Sequence, residues 1–164
     1  MKNIKIGNRI IGEDKEPLII AEIGINHNGS LDKAIYLADK AIKAGAEVIK
    51  HQTHIPDEEM SIEAKKIIPL NAKISIYELI KKTSLGEKDE FKLMKYIKSK
   101  KRIFISTPFS KAAADRLGKF KVPAFKIGSG ECNNYNFVNY LTKFKIPIIM
   151  STGMNTISSI EKSV

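Results

Sequence analysis

Five short apolar runs in this 164-residue chain each end in a cluster of polar residues or glycines, with helix-like segments between them. Leu18 to Ala21 leads into Glu22 and then Asn26-His27-Asn28-Gly29. Val48-Ile49 leads into Lys50-His51-Gln52-Thr53. Ile103 to Ile105 leads into Ser106-Thr107-Pro108-Phe109-Ser110. Ala124-Phe125 carries Lys126 out of its end, followed by Ile127-Gly128-Ser129-Gly130-Glu131. Ile146 to Met150 ends in Ser151-Thr152-Gly153-Met154. A repeated order of strand, polar end and helix builds a parallel α/β sheet, in which every strand's C-terminal end faces the same side. Five polar ends then converge on one pocket.

The helical segments carry their own start and stop signals. Ser30 is a candidate N-cap for a helix with Leu31, Ala34, Ile35, Ala38 and Ile42 at helical spacing, and Gly45 is its stop. Ile74 to Ile80 is a short amphipathic segment. Glu87 to Lys98 is a clearer one, with Phe91, Met94 and Ile97 expected on its core face. Ser110, then Asn133 or Asn134, then Thr156 are candidate caps for the next three helices, and Gly118 ends the first of these. Ahead of the first strand, residues 4–11 alternate around Gly7-Asn8, a hairpin signal for which a type I′ turn is one option.

Residues 51–71 break the pattern. Pro56, Pro69 and mixed charge make this a long excursion from the pocket side of the second strand, placed to act as a lid or a substrate-side wall. Two architectures accommodate five such strands: an open doubly wound sheet, or the first five strands of an eight-stranded barrel.

Composition narrows the function. Hydrophobic residues make up 43% and charged residues 28%, as in a soluble globular protein. No apolar stretch approaches the roughly 18 residues of a membrane span. The single cysteine, Cys132, cannot form an internal disulfide, which makes a reducing cytoplasm the expected compartment. Net charge is +10, from 28 Lys plus Arg against 18 Asp plus Glu. Nucleic acid must therefore be weighed, but the lysines fall mostly on helix faces and no recognition helix or aromatic-basic platform is present. A solvated lysine surface, or a field that gathers a small anionic substrate, fits better.

Lys50 and Lys126 leave separate apolar runs, and their ammonium groups must stay hydrated or paired. They either snorkel to a rim and pair with structural carboxylates, or join Thr107, Ser129 and Ser151 in an oxyanion site. Gly128-Ser129-Gly130 lacks the dinucleotide fingerprint, and no Walker lysine pattern occurs. Glu22 and Glu131 are placed either to work on substrate hydroxyls, water or protons, or to neutralise the lysines. His27, His51 and His54 lack a convergent third ligand and do not make a metal set. Cys132 has no adjacent base to make it a nucleophile.

Together, Ala21 to Gly29, Lys50 to Thr53, Phe104 to Phe109, Lys126 to Glu131 and Ser151 to Met154 resemble the sialic acid synthase family. These enzymes condense phosphoenolpyruvate with an N-acylated hexosamine. The resemblance implies a (β/α)8 TIM barrel of which residues 17–164 hold about the first five strands. Residues 1–16 form the hairpin and link, and the remaining strands and a C-terminal antifreeze-like domain are absent from the sequence. By position, Lys50, Thr107, Lys126, Ser129 and Ser151 would hold phosphoenolpyruvate, and Glu22 would lie near the reacting centre with Lys50 and Lys126. Gln52, Asn71 and Glu131 would face the sugar. His51 stands where many relatives carry phenylalanine, which leaves the sugar preference blurred.

The family also implies manganese or magnesium held by residues outside this chain, a homodimer at full length, and no activity for these 164 residues alone. N-acetylmannosamine is the expected sugar. The alternatives are a synthase of a related nonulosonic or 2-keto sugar acid, and a non-catalytic anion-binding domain.

Overall fold

A computed structural model describes residues 3–70 and 72–164. The chain opens with the expected hairpin, β1 (Ile4–Ile6) and β2 (Arg9–Ile11), paired antiparallel with Ile6 opposite Arg9. Gly7 has φ +61° while Asn8 stays out of the left-handed region, so the turn is of the II′ kind rather than I′.

The five apolar runs form one parallel sheet: β3 (Ile20–Gly24), β4 (Val48–Thr53), β5 (Ile103–Pro108), β6 (Phe125–Ile127) and β7 (Ile148–Met150). Each strand pairs with the next in the chain. A doubly wound sheet would reverse its order at a switch point, so sequential order removes that alternative. The sheet does not close among the described residues, and five strands of the expected eight are what they hold.

Between the strands run α1 (Leu31–Lys43), the short α2 (Pro56–Glu59), α3 (Ile76–Thr83), α4 (Glu87–Ser99), α5 (Lys111–Lys119) and α6 (Tyr135–Thr142). α7 (Ile157–Ser163) follows the last strand. Ser30, Ser110, Asn134 and Thr156 cap their helices through side-chain oxygens, as expected. Ser75 and Glu78 add a capping box at α3. Gly118 lies inside α5, which continues to Lys119.

The two faces of the sheet differ. One carries Ile23, Ile49, Phe104, Phe125 and Ile127, which pack with Ala34, Ala38, Leu93, Met94, Ile97, Leu117, Val138 and Leu141 of the helices. The other carries Val48, Ile105 and Ala124, covered by Ile6 and Ile11 of the hairpin and, among the described residues, by no helix residue. All helical packing thus falls on one side, as on the outside of a barrel wall, while the hairpin fills the N-terminal end of the inner face. Arg9 ties the hairpin down through Nε to Glu47 Oε2 at 2.7 Å.

Three boundaries differ from expectation. β3, β4 and β5 each extend past their apolar runs, so Glu22, His51, Gln52 and Thr107 are strand residues. The excursion after β4 is partly ordered into α2 and a 3₁₀ turn at Ile62–Lys65. Met94 and Ile97 lie in the buried stripe of α4 as expected, but Phe91 is 40% exposed, because the stripe is completed by Glu90 and Leu93 instead.

Candidate functional site

Alternation along a strand sends successive side chains to opposite faces. Ile49, Phe104 and Phe125 pack outward, so Lys50, Gln52, Thr107 and Lys126 share the inner face with Glu22. Register then stacks them. Glu22 pairs with Lys50 across β3 and β4, and Gln52 with Thr107 across β4 and β5. Ser106 pairs with Phe125, which sets Thr107 beside Lys126 on the inner side.

Lys50 is buried, and its Nζ lies 3.0 Å from Glu22 Oε1. The Glu22 side chain remains 61% exposed, so the carboxylate that neutralises Lys50 still reaches solvent. Lys126 Nζ donates to Ser151 Oγ at 2.7 Å and to the Ile127 carbonyl at 2.5 Å. Burial lowers its pKa and the nearby Lys50 charge lowers it further, while Glu22 opposes both. Two cations that repel each other on a buried wall favour an anion between them. Thr107 is 2% exposed, and its Oγ1 has no hydrogen-bond partner among the described residues. A buried hydroxyl without a partner is rare and costs about 1–3 kcal/mol of desolvation, which a ligand oxygen would recover.

Ser129 opens a 3₁₀ turn, Ser129–Glu131, at the end of β6. Asn155 Nδ2 holds the Ser129 carbonyl at 2.8 Å and so ties this turn to the loop after β7. Glu131 lies further out and accepts from Asn134 Nδ2 at 2.9 Å. Asn71, the remaining expected sugar contact, lies outside the described residues. Cys132 is buried, with Sγ 3.4 Å from Met150 Sδ.

Directly behind Lys50 and Gln52, on the outer face of the same strand, lies a buried polar network that the sequence did not reveal. The Gly29 backbone N–H donates to His27 Nδ1 at 3.1 Å, which places the His27 proton on Nε2. That proton faces His51 Nε2 at 3.1 Å, so His51 carries its own on Nδ1 and donates to Glu90 Oε1 at 3.1 Å. Thr53 also donates to Glu90 Oε1, and its oxygen lies 2.7 Å from Ser106 Oγ. Arg116 Nη1 reaches Glu90 Oε2 at 3.2 Å. Burial pushes the Glu90 carboxyl up, but the hydrogen bonds from His51 and Thr53 and the charge of Arg116 outweigh it and hold the pKa low. Burial lowers His27 to about 4, the repulsion of a protonated His51 beside it adding to the effect.

The histidines do not fit a metal site. His27 and His51 face each other, and His54 Nδ1 is taken by Glu59 Oε1 at 2.8 Å. Among the described residues no three His, Cys, Asp or Glu side chains converge as a metal ion needs.

The sequence pattern of NeuB matches residues 37–164. The chain belongs to the NeuB family. Among similar proteins, N,N'-diacetyllegionaminic acid synthase of Campylobacter jejuni is 35% identical over 155 residues, covering 92% of this chain and 46% of that one. Pseudaminic acid synthase of the same organism is 36% identical over 158 residues, covering 93% and 45%. The crystal structure of N-acetylneuraminic acid synthetase from Leptospira borgpetersenii, with citrate, superposes with a TM-score of 0.86 at 28% identity, covering 99% and 53%. This chain spans about half the length of the relatives it matches. No helix among its described residues is long and apolar enough to cross a membrane.

Within this NeuB chain the structure gathers Glu22, Lys50, Gln52, Thr107 and Lys126 on one inner face, with Ser151 bonded to Lys126 and Ser129 beside the loop after β7. His51 corrects an expectation. It faces the helices rather than the pocket, so phenylalanine or histidine there alters the packing behind the inner wall and not the wall itself. Glu90 escaped notice because an acid in a helix's first turn is ordinary. Its spacing to Leu93, Met94 and Ile97 was the available signal that it points inward.

Proposed function

We propose that this chain is the phosphoenolpyruvate-binding part of a synthase that joins phosphoenolpyruvate to an N-acylated hexosamine, releasing phosphate and a nonulosonic acid. The observation that carries it is the unpartnered, buried Thr107 hydroxyl beside Lys126, on a wall that also presents Lys50 and Ser151. Phosphoenolpyruvate brings a phosphate and a carboxylate, both of which suit paired ammonium groups flanked by hydroxyls.

In this reaction the enol carbon attacks the aldehyde of the open-chain sugar, and water adds at the carbon that becomes electron-poor. The tetrahedral intermediate then loses phosphate by C–O cleavage. Lys50 and Lys126 offset the substrate charge and fix its alignment, while Thr107, Ser129 and Ser151 hold its oxygens. Glu22, exposed yet tied to Lys50, is the carboxylate placed to orient the water. Gln52 and Glu131 face the sugar. The divalent cation implied by the resemblance, manganese or magnesium, would have to be held from outside these residues.

N-acetylmannosamine is the first sugar to test. A diacetamido sugar is the second, because the relatives named for legionaminic and pseudaminic acids are 35% and 36% identical, against 28% for the sialic acid structure. The complete gene product, given phosphoenolpyruvate, manganese and either sugar, is expected to release phosphate, and residues 1–164 alone are expected not to. Absence of phosphate with both sugars contradicts the assignment. Turnover by residues 1–164 contradicts its restriction to a longer parent.

A further inference from the structure

Glu90 draws in the buried network behind the anion wall from three sides. Thr53 has one hydroxyl proton and gives it to Glu90 Oε1, so the 2.7 Å contact with Ser106 is a bond that Ser106 donates. From the other direction His27 donates to His51, and His51 to the same Oε1. Arg116 of α5 holds Oε2 at 3.2 Å. One carboxylate on α4 therefore fixes β4 at two positions and is itself held by α5. Through one further bond each it reaches β5 and the loop between β3 and α1. His27, His51, Thr53, Glu90 and Ser106 are each no more than 1% exposed.

Stability alone does not account for such a cluster. It lies in a layer with Leu93, Met94, Ile97 and Phe104, where apolar side chains of similar volume would be as stable or more so. Hydrogen bonds differ from apolar contacts in fixing both separation and angle, so they hold a strand that packed methyls would let slide. Each strand member of the network is also the chain neighbour of a wall residue. Lys50 precedes His51, Gln52 precedes Thr53, and Thr107 follows Ser106. Successive side chains of a strand point to opposite faces, so fixing 51, 53 and 106 from behind fixes 50, 52 and 107 in front. A site that grips an anion through several groups needs each of them held within about 0.5 Å.

We propose that Glu90 and Thr53 are positioning residues for the anion wall, setting the separation of Lys50 from Thr107 across β4 and β5. The proposal rests on the phosphoenolpyruvate-binding role given above, and neither residue touches the substrate. Lys126 is anchored separately, by Ser151 and the Ile127 carbonyl, so weakened binding rather than none is the mark of a broken network.

The test is titration of the complete gene product with phosphoenolpyruvate, at a temperature where circular dichroism shows every variant folded. Thr53→Val keeps the shape of the side chain and removes its hydroxyl. Its affinity is expected to fall about fivefold or more, and Thr53→Ser to stay within about twofold of wild type. Tyr96→Phe separates positioning from lost stability. Tyr96 lies on the same helix as Glu90, and its hydroxyl is 2.8 Å from both Asp39 carboxylate oxygens, apart from the network. Its melting temperature is expected to drop with phosphoenolpyruvate affinity unchanged. Wild-type affinity in Thr53→Val overturns the positioning role and leaves the wider function standing. A Thr53→Ser variant as weak as Thr53→Val overturns it too, because the hydroxyl is then not what matters. So does an equal loss in Tyr96→Phe, which general loosening would explain. If the wild-type protein does not bind phosphoenolpyruvate, the function fails and the positioning role with it. Should Thr53→Val not fold, Glu90→Gln takes its place, with the same loss expected and wild-type affinity again overturning the proposal.

Discussion

His51 Nδ1 lies 3.1 Å from Glu90 Oε1, joining β4 to α4 across 39 residues of sequence with both side chains fully enclosed. The same carboxylate takes hydrogen bonds from Thr53 and Arg116. Strand residues 50 and 52 face the anion wall while 51 and 53 face this network, so one strand joins the two polar systems back to back. Replacing Glu90 by Ala leaves a guanidinium, an imidazole N–H and a hydroxyl without their acceptor. Urea unfolding is expected to show a loss of about 3 kcal/mol or more, with Glu90→Gln losing less.

Acid should act through the same cluster. His27 titrates near 4 in the fold against 6.5 for an ordinary histidine, so the unfolded chain binds the extra proton first. Stability is therefore full above pH 6.5 and falls as pH drops towards 4. The slope from this group approaches about 1.4 kcal/mol per pH unit. Glu90, whose pKa is held below its usual 4.5, adds its loss only at lower pH. Thermal melts from pH 7 to 4 check this, and His27→Gln should flatten the upper part of the curve.

Thr107 gives a prediction of opposite signs. With no partner for its hydroxyl among the described residues, Thr107→Val should leave the stability of the unliganded protein unchanged or slightly raised. The same change should weaken phosphoenolpyruvate binding about tenfold, the loss of one charge-assisted hydrogen bond. A melting curve and a titration on the same sample read both.

Gly29 closes the loop that carries His27. Its φ is +74°, and a Cβ there would collide with the Lys82 carbonyl oxygen. Gly29→Ala is expected to cost more than about 1 kcal/mol in urea unfolding, through strain and through displacement of the N–H that holds His27.

Much of this site was legible in the sequence because its logic is local. A lysine at the end of an apolar run, as at Lys50 and Lys126, already tells which side of the sheet it occupies. Ser30, Ser110 and Thr156 announced their helices through capping chemistry. Sequential strand order was legible only through the family resemblance, since an open doubly wound sheet and a barrel wall share the same local pattern. The network around Glu90 was hidden for a different reason. It is built from long-range contacts between residues that each look ordinary alone. His51 shows the limit most sharply: being next to Lys50 in sequence suggests a pocket residue, yet strand alternation turns it to the other face.

The central claim is that the inner wall binds phosphoenolpyruvate through Lys50, Lys126 and Thr107, and isothermal titration of this protein tests it most directly. Saturable binding is predicted, weakening with added salt and reduced more than tenfold in Lys126→Met, a change that also relieves a buried charge and should preserve the fold. No binding by the wild-type protein, or equal affinity in Lys126→Met, would contradict the account.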